Sequence, residues 1–145
     1  MKRMVPTCII VTMFAIAVLG KQTRQIPSPL LVLTGQESIE TNNKQYQRYH
    51  FEIFNRADFP EEMFSQAPDL PACGSNKNAS RTWVDIYKLN GERLNGFCAI
   101  TDRAGLKDIW FAMESGTVPP SWVYIELLDR RTNVKYKSNL AETTL

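Results

Sequence analysis

The side chains that could do chemistry are few in this chain of 145 residues. Its one histidine, His50, stands beside Phe51 in a stretch of alternating polar and apolar residues. Nucleophilic catalysis needs a base next to a nucleophile, and a lone histidine in such a stretch is typical of a partly exposed strand. The sequence contains no GxSxG, HExxH, phosphate-binding or acidic calcium-binding motif. We therefore expect no enzyme and no cofactor, with a small secreted hydrolase built on paired carboxylates as the catalytic alternative.

The cysteines indicate a disulfide bond rather than a metal site. Cys8 lies in an apolar N-terminal run, which leaves Cys73 and Cys98 in the rest of the chain. In an oxidising compartment, a remaining pair is most simply a disulfide. Two cysteines and one histidine without CxxC spacing make a poor zinc-binding set. The sequence predicts a Cys73–Cys98 bond and no metal.

One predicted strand face offers a candidate binding site. Trp83, Asp85 and Tyr87 alternate along the chain, so their side chains project to the same side. Flat aromatic rings beside a carboxylate can stack on a sugar or hold a peptide. The interpretation that we favour, however, is that the loop carrying Cys73 and the chain termini cover this face. The charged run at 129–131 is expected to be a solvated turn rather than a binding cluster.

The element that must position these residues is a hairpin spanning residues 81–100. Asn90-Gly91 joins two apolar-rich runs, and this pair favours a two-residue type I′ turn. Such a turn pairs Val84 with Phe97 on the face opposite Trp83. We expect the Val84 face to be buried in the core. The second sheet, against which it would pack, is expected to carry Val123, Ile125 and Leu127.

The first twenty residues have the layout of a secretory signal. Lys2 and Arg3 form a basic start, and Val5 to Leu19 is uncharged and mostly apolar before Gly20. This run falls short of the roughly 20 residues needed to span a membrane, which favours cleavage over retention as an anchor. We expect a secreted or periplasmic protein of the cell envelope. It would contact a membrane only through an uncleaved N-terminal segment.

The charge balance gives no reason to expect a nucleic-acid partner. The whole chain carries 17 basic and 15 acidic residues, and removal of Lys2 and Arg3 leaves 15 of each. The remaining chain is close to neutral and has no basic stripe interleaved with aromatic residues. No nucleic-acid partner is therefore expected.

Residues 21–44 are predicted to be a flexible N-terminal tail. They contain Pro27, Pro29 and a polar run that ends at Lys44, although the apolar patch at 30–33 could be an edge strand instead. Residues 45–145 are predicted to be the folded domain. Asn78 begins an Asn-Ala-Ser sequence that fits the glycosylation acceptor pattern, which matters only in a eukaryotic secretory pathway.

Short apolar runs separated by turns predict an all-β fold. Strands are expected at 45–55, within the hairpin, and at 108–113, 122–129 and 134–140, and a short helical turn is expected at 59–64. The absence of a βαβ rhythm favours an antiparallel sandwich. The predicted class is an all-β, antiparallel sandwich with a short helical turn and one disulfide.

Two stretches resemble known modules. The run PPSWVYIEL at 119–127, together with the strand through Tyr136, resembles the last two strands of fibronectin type III and immunoglobulin-like modules. In those modules, an aromatic-rich strand follows a proline turn and pairs with a closing strand. The resemblance implies that the sandwich is immunoglobulin-like. Asn133 stands where such turns more often have Gly, which Asn can replace in a left-handed position. The hairpin motif RTWVDIY…RLNGFCAI resembles a domain of uncharacterised secreted bacterial proteins, which implies no activity.

These features predict the function only as a class. The expectation is a non-catalytic, exported β-sandwich module that binds a protein or a cell-envelope component. The alternative is a carbohydrate-binding module that uses Trp83 and Tyr87.

Overall fold

The computed structural model describes residues 25–73 and 79–144, so the predicted signal segment and Asn78 lie outside the described residues. In these two ranges, three short 3-10 helices occur, at Arg56–Asp58, Glu61–Phe64 and Arg103–Lys107. The second of them is the predicted short helical turn. The strands are β1 (Leu31–Thr41), β2 (Lys44–Ile53), β3 (Thr82–Lys88), β4 (Arg93–Ile100), β5 (Ile109–Glu114), β6 (Trp122–Asp129), β7 (Val134–Lys137) and β8 (Ala141–Glu142).

The strands form two antiparallel sheets. Sheet one has three strands in the order β1-β2-β5. Sheet two has the order β4-β3-β6-β7, and β8 pairs with the first residues of β6. The prediction of an all-β, antiparallel fold is confirmed. No helix in the described ranges is long and apolar enough to cross a membrane.

The core lies between the sheets and is made by alternate residues of the strands. On sheet one, the ring of Phe111 stacks on Tyr49 at 4.9 Å and on Phe51 at 5.9 Å between centroids. Burial of each large apolar side chain contributes about 1.5–3 kcal/mol. The fully buried residues that sheet two contributes are Val84, Ile86, Val123, Ile125 and Leu127.

The prediction of a flexible tail through residue 44 is wrong from Leu31 onward. Residues 31–41 form an 11-residue strand that pairs with β2, and Leu31 is buried in the core. Asn42 and Asn43 join the two strands with φ angles of 53° and 58°, as a type I′ turn requires. The polar composition was misleading because most of β1 beyond its first residue faces solvent, so few of its positions need apolar side chains.

The β3–β4 hairpin forms, but its predicted two-residue turn is wrong. Gly91 has a φ of 87°, whereas Asn90 has no positive φ, which type I′ would need. The Gly91 N–H donates to the Lys88 carbonyl at 2.9 Å, and the Lys88 N–H donates to the Glu92 carbonyl at 2.8 Å. The loop therefore contains three residues, 89–91, with glycine in the left-handed position.

The pairing that a two-residue turn predicts is confirmed in the middle of this hairpin but is wrong next to the turn, where Tyr87 pairs with Arg93 instead of Leu94. A register shift between Ile86 and Tyr87 compensates for the extra turn residue, and Val84 pairs with Phe97 as expected. Such a shift is a β-bulge, in which one strand supplies an additional residue. In the next turn along sheet two, Asn133 has a φ of 57°, which is the left-handed conformation expected there.

The predicted core face of β3 is confirmed, whereas its predicted packing partner is wrong. Val84 and Ile86 are buried, and Trp83 lies on the opposite face. However, β6 is the neighbour of β3 in the same sheet, so its apolar residues lie beside β3 and not across the core. Phe97 is half-buried, with its ring edge-on to Trp110 at 5.9 Å. Alternation in a sequence reveals the faces of a strand but not its neighbours.

Side-chain amides join the two sheets at both sides. Asn95 Nδ2 donates to the Trp110 carbonyl at 2.7 Å, which links β4 to β5. On the other side, Asn139 Oδ1 accepts from the Leu31 N–H at 2.7 Å, and Gln36 Nε2 donates to the Thr143 carbonyl at 2.7 Å. Each such bond contributes about 1 kcal/mol. They close the sandwich where backbone pairing between the sheets is missing.

Candidate functional site

The predicted binding residues Trp83, Asp85 and Tyr87 share the outer face of sheet two. All three are half-buried, and they form a row along β3, between β4 and β6. The structure therefore places the three side chains on one face, as the alternation predicted. Each of them, however, has a different partner.

The Trp83 ring is covered on one side by Arg130. The guanidinium carbon lies 4.0 Å from the ring centroid, a cation–π contact worth about 0.5–2 kcal/mol. The same guanidinium donates to the Pro71 carbonyl at 2.6 Å and to the Ser80 carbonyl at 3.0 Å. Arg130 thus holds the loop between β2 and β3 against Trp83, and this part of the face is not a bare platform.

The Asp85 carboxylate is engaged by Arg93. Arg93 Nε donates to Asp85 Oδ1 at 2.7 Å. Gly96 lies opposite Asp85 on β4, and a Cβ atom there would collide with both the guanidinium and the carboxylate. Glycine therefore provides the space in which this ion pair lies over the strand. Because Arg93 is largely exposed, the pair contributes at most about 1 kcal/mol.

Tyr87 stacks on Tyr124 of the neighbouring strand, with ring centroids 5.4 Å apart. Lys137 Nζ lies 3.9 Å from the Tyr124 ring. Burial, followed by the negative charges of Asp85 and Glu126, raises the pKa of Tyr87. Its hydroxyl therefore stays protonated at neutral pH and is available as a hydrogen-bond donor.

The charged run at residues 129–131, at the end of β6, holds the β2–β3 loop in place. The prediction that this run is a solvated turn is therefore wrong for Asp129. This residue is 1% exposed and accepts from Arg81 Nε at 2.8 Å and from Arg81 Nη2 at 2.6 Å. Burial works to raise the pKa of Asp129, but the hydrogen bonds from Arg81, Thr132 and the Arg131 backbone, together with the charge of Arg81, outweigh it and the pKa is lowered. Arg131 forms two bonds to Asp69, at 2.8 and 3.0 Å. Strand alternation turns Asp129 inward although the two residues that follow it are charged.

The predicted disulfide is confirmed. Cys73 and Cys98 are bonded, with Cα atoms 6.0 Å apart, and the bond ties the β2–β3 loop to β4. Neither sulfur is therefore available as a nucleophile or as a metal ligand. Across the described ranges, no group of three or more His, Cys, Asp or Glu side chains is placed to hold a metal ion.

His50 has carboxylates on both sides of its ring. Its Nδ1 lies 2.7 Å from Asp108 Oδ1, and its Nε2 lies 3.0 Å from Glu37 Oε1. Among the described residues, these carboxylates are its side-chain hydrogen-bond partners. A base can activate a nucleophile only when it contacts one. The arrangement does not support nucleophilic catalysis.

An exposed apolar surface surrounds Trp122, and it was not predicted from the sequence. The Trp122 side chain is 39% exposed, Leu89 is 63% exposed and Val118 is 86% exposed. Three open grooves of about 420, 330 and 360 Å³ share Trp122 in their walls. We call this area the Trp122 surface, and its apolar members are Val32, Leu89, Val118, Trp122 and Leu140.

The Trp122 surface has polar groups around its apolar centre. The turn between β3 and β4 contributes Lys88 and Asn90, and the C-terminal segment contributes Glu142 and Thr143. An exposed apolar patch with a polar rim is typical of protein or membrane interaction sites. Strand alternation puts Trp122 on the same face as Tyr124 and Glu126, but it carries no signal for what covers a side chain.

Comparison with protein-family models gives no match. Comparisons with curated proteins and with solved structures also give none.

Proposed function

We propose that this protein is a non-catalytic, exported β-sandwich module that binds a protein or a cell-envelope component. The Trp122 surface carries the proposal. It combines an aromatic side chain with aliphatic neighbours and grooves on more than one side of the ring. Tryptophan is enriched among the residues that dominate the binding energy of protein interfaces, and such anchors sit in pockets with a polar surround.

Export is supported by two independent features. The Cys73–Cys98 bond is of a kind that persists in oxidising compartments and is rare in the cytosol. The basic start and the apolar run at residues 5–19 have the layout of a secretory signal. A secreted, periplasmic or cell-envelope location accommodates both.

The strand order supports an immunoglobulin-like sandwich. In immunoglobulin domains, strands A, B and E lie in one sheet, and C, F and G lie in the other, with C′ beside C in the variable type. The order β1-β2-β5 matches A-B-E, and β4-β3-β6-β7 matches C′-C-F-G. This match assigns the run at 119–127 and the strand through Tyr136 to F and G, in agreement with their resemblance to the last two strands of such modules.

Two features depart from the immunoglobulin pattern. The usual disulfide joins strands B and F, whereas Cys73–Cys98 joins a loop to β4. The usual strand-C tryptophan is buried between the sheets, whereas Trp83 lies on the outer face. The proposed likeness therefore concerns strand order and not the core hallmarks of antibody domains.

The alternative function, carbohydrate binding through Trp83 and Tyr87, has weaker support. The Tyr87–Tyr124 stack beside Asp85 offers ring and carboxylate groups of the right kind. Arg130, however, covers one side of Trp83. A glycan array separates the two proposals, because glycan binding that disappears in a folded Trp83→Ala variant would establish the alternative.

The main test compares two exposed apolar side chains. The exported protein is immobilised, and envelope components that bind it are crosslinked and identified by mass spectrometry. The affinity for each identified component is then measured with wild type, Trp122→Ser and Val134→Ser. Val134 is 43% exposed but lies on β7, outside the walls of the three grooves.

We expect Trp122→Ser to weaken binding by about 30-fold, which corresponds to a hot-spot loss of about 2 kcal/mol. The control Val134→Ser should bind like wild type. Equal binding by all three proteins, with circular dichroism showing each to be folded, would overturn the assignment of this surface.

A further inference from the structure

The contacts of His50 cross sheet one from edge to edge. His50 is on the central strand β2, Glu37 is on the edge strand β1, and Asp108 directly precedes the other edge strand, β5. The two ring nitrogens lie 3.0 Å from Glu37 and 2.7 Å from Asp108. One imidazole thus links the two edges on the outer face of the sheet.

The chemistry of the ring defines its charge in this geometry. A neutral imidazole has one N–H donor and one lone pair, whereas an ionised carboxylate can only accept. With a carboxylate oxygen at each nitrogen, both nitrogens must carry a proton for both bonds to form. The imidazolium is therefore the form that satisfies Glu37 and Asp108 together.

We propose that Glu37, His50 and Asp108 form a proton-operated clasp. With both ring nitrogens protonated, the clasp holds β1 and the start of β5 to β2. Loss of one proton breaks one of these two side-chain contacts, while the backbone pairing of the strands remains. This inference concerns the outer face of sheet one and is independent of the function proposed for the Trp122 surface.

The other groups near the clasp are consistent with this behaviour. On β2, Arg48 Nη1 donates to the same Glu37 oxygen at 3.0 Å, and Glu52 is engaged by Arg56 at 3.0 Å. The β5 residue paired with His50 is Trp110 and the β1 residue is Gly35, so neither adds a charge. Burial works to lower the pKa of His50, but the hydrogen bonds and charges of Asp108 and Glu37 outweigh it and raise the pKa above 6.5.

The geometry also selects which contact opens. The bond to Asp108 is the shorter of the two, and Glu37 retains Arg48 as a partner when His50 releases it. Deprotonation should therefore leave the proton on Nδ1, facing Asp108, and free Nε2 from Glu37. The contact that opens is therefore the one to β1.

The direction in which the pKa of His50 is shifted determines how stability depends on pH. Because the pKa of His50 is raised in the folded state, the clasp contributes its full stability below pH 6.5, the ordinary histidine value. That contribution is lost as the pH rises through the folded-state pKa. The ring is partly exposed, so its proton exchanges with solvent.

The test is a titration of the one histidine by NMR of its ring nitrogens. We expect both nitrogens to be protonated at pH 6.5 and the midpoint to lie above 6.5. Above that midpoint, the signals should be those of the neutral ring protonated on Nδ1. A midpoint at or below 6.5, or a neutral ring protonated on Nε2, would contradict the proposal as stated.

Variants distinguish the clasp from a general charge effect. Glu37→Gln and Asp108→Asn should each move the midpoint down, whereas Glu52→Gln, which alters a carboxylate two residues from His50 on the same strand, should leave it nearly unchanged. The melting temperature of wild type minus that of His50→Gln should shrink as the pH rises from 6 to 9. Equal shifts in all three carboxylate variants, or a pH-independent difference in melting temperature, would refute the clasp.

Discussion

Trp83 and Trp122 lie on neighbouring strands of sheet two, and their surroundings are opposite. Trp83 has the Arg130 guanidinium stacked on its ring and the Cys73 loop held beside it. Trp122 stands among open grooves lined by aliphatic side chains. The first tryptophan stabilises the attachment of a loop, and the second is the exposed side chain that we propose as a binding anchor.

The difference shows that residues far along the chain determine whether a tryptophan on this face is covered. Arg130 and the disulfide partner Cys98 follow Trp83 by many positions in the chain, and both act on the loop that precedes β3. The residues next to Trp83 in the sequence do not reveal this cover. The comparison can be tested by removing the interactions that hold the loop beside Trp83, and then by replacing each tryptophan.

The largest expected effect comes from Asp129→Ala. It removes a buried carboxylate and leaves Arg81 without its two bonds, for which a loss of about 3–5 kcal/mol in the free energy of unfolding is typical. Denaturant titration measures it. Asp69→Ala, which breaks the exposed pair with Arg131, should cost clearly less because solvent screens that pair. Equal losses of stability in the two variants would mean that the Asp129–Arg81 pair is not the main attachment of the loop.

The same carboxylate predicts an acid dependence. Because the pKa of Asp129 is lowered in the folded state, its contribution is fully present above the ordinary value of 3.8. It is lost as the pH falls through the folded-state pKa. The difference in stability between wild type and Asp129→Ala should therefore narrow below pH 3.8, in contrast to the alkaline loss expected for the His50 clasp.

The second largest effect is expected for the double variant Cys73→Ser/Cys98→Ser, which lacks the disulfide. With a sequence separation of 25 residues, the chain-entropy relation gives a loss of about 3.5 kcal/mol. The loop beside Trp83 should also loosen, and quenching of tryptophan fluorescence by acrylamide should increase. A Trp83→Phe version of the same double variant serves as the control for that signal. Unchanged stability would show that Arg130 and Arg131 suffice to hold the loop.

The smallest effects come from the two tryptophans themselves, and they address the comparison directly. Trp83→Ala should cost about 1–3 kcal/mol through lost burial and the lost contact with Arg130. Trp122→Ala should change stability by about 0.5 kcal/mol or less, as surface substitutions usually do. Thermal and denaturant unfolding of both variants measures the order. A larger loss for Trp122→Ala would make it a core residue and remove the basis for the proposed binding surface.

Much of the fold could be predicted because its signals are local. The alternation of Val84 and Ile86 with Trp83 identified the buried face of β3. The two cysteines outside the N-terminal segment could be paired by elimination.

Local signals failed at the turns. Asn90-Gly91 matches a type I′ sequence but belongs to a three-residue loop, while the type I′ angles occur at Asn42 and Asn43. The adjoining bulge shows that pairing of the strands, rather than the turn sequence, determined the register.

The sequence alone predicted the β-class, the buried face of β3 and the disulfide, because these depend on periodicity and on residue type. Tertiary structure decided which strands are neighbours, which tryptophan is covered, and which charges are buried. Asp129 is buried because Arg81 meets it there, and His50 lies between Glu37 and Asp108 because three strands bring them together. Such contacts join residues far apart in the chain. The free energy of each contact depends on a partner that no local sequence pattern identifies.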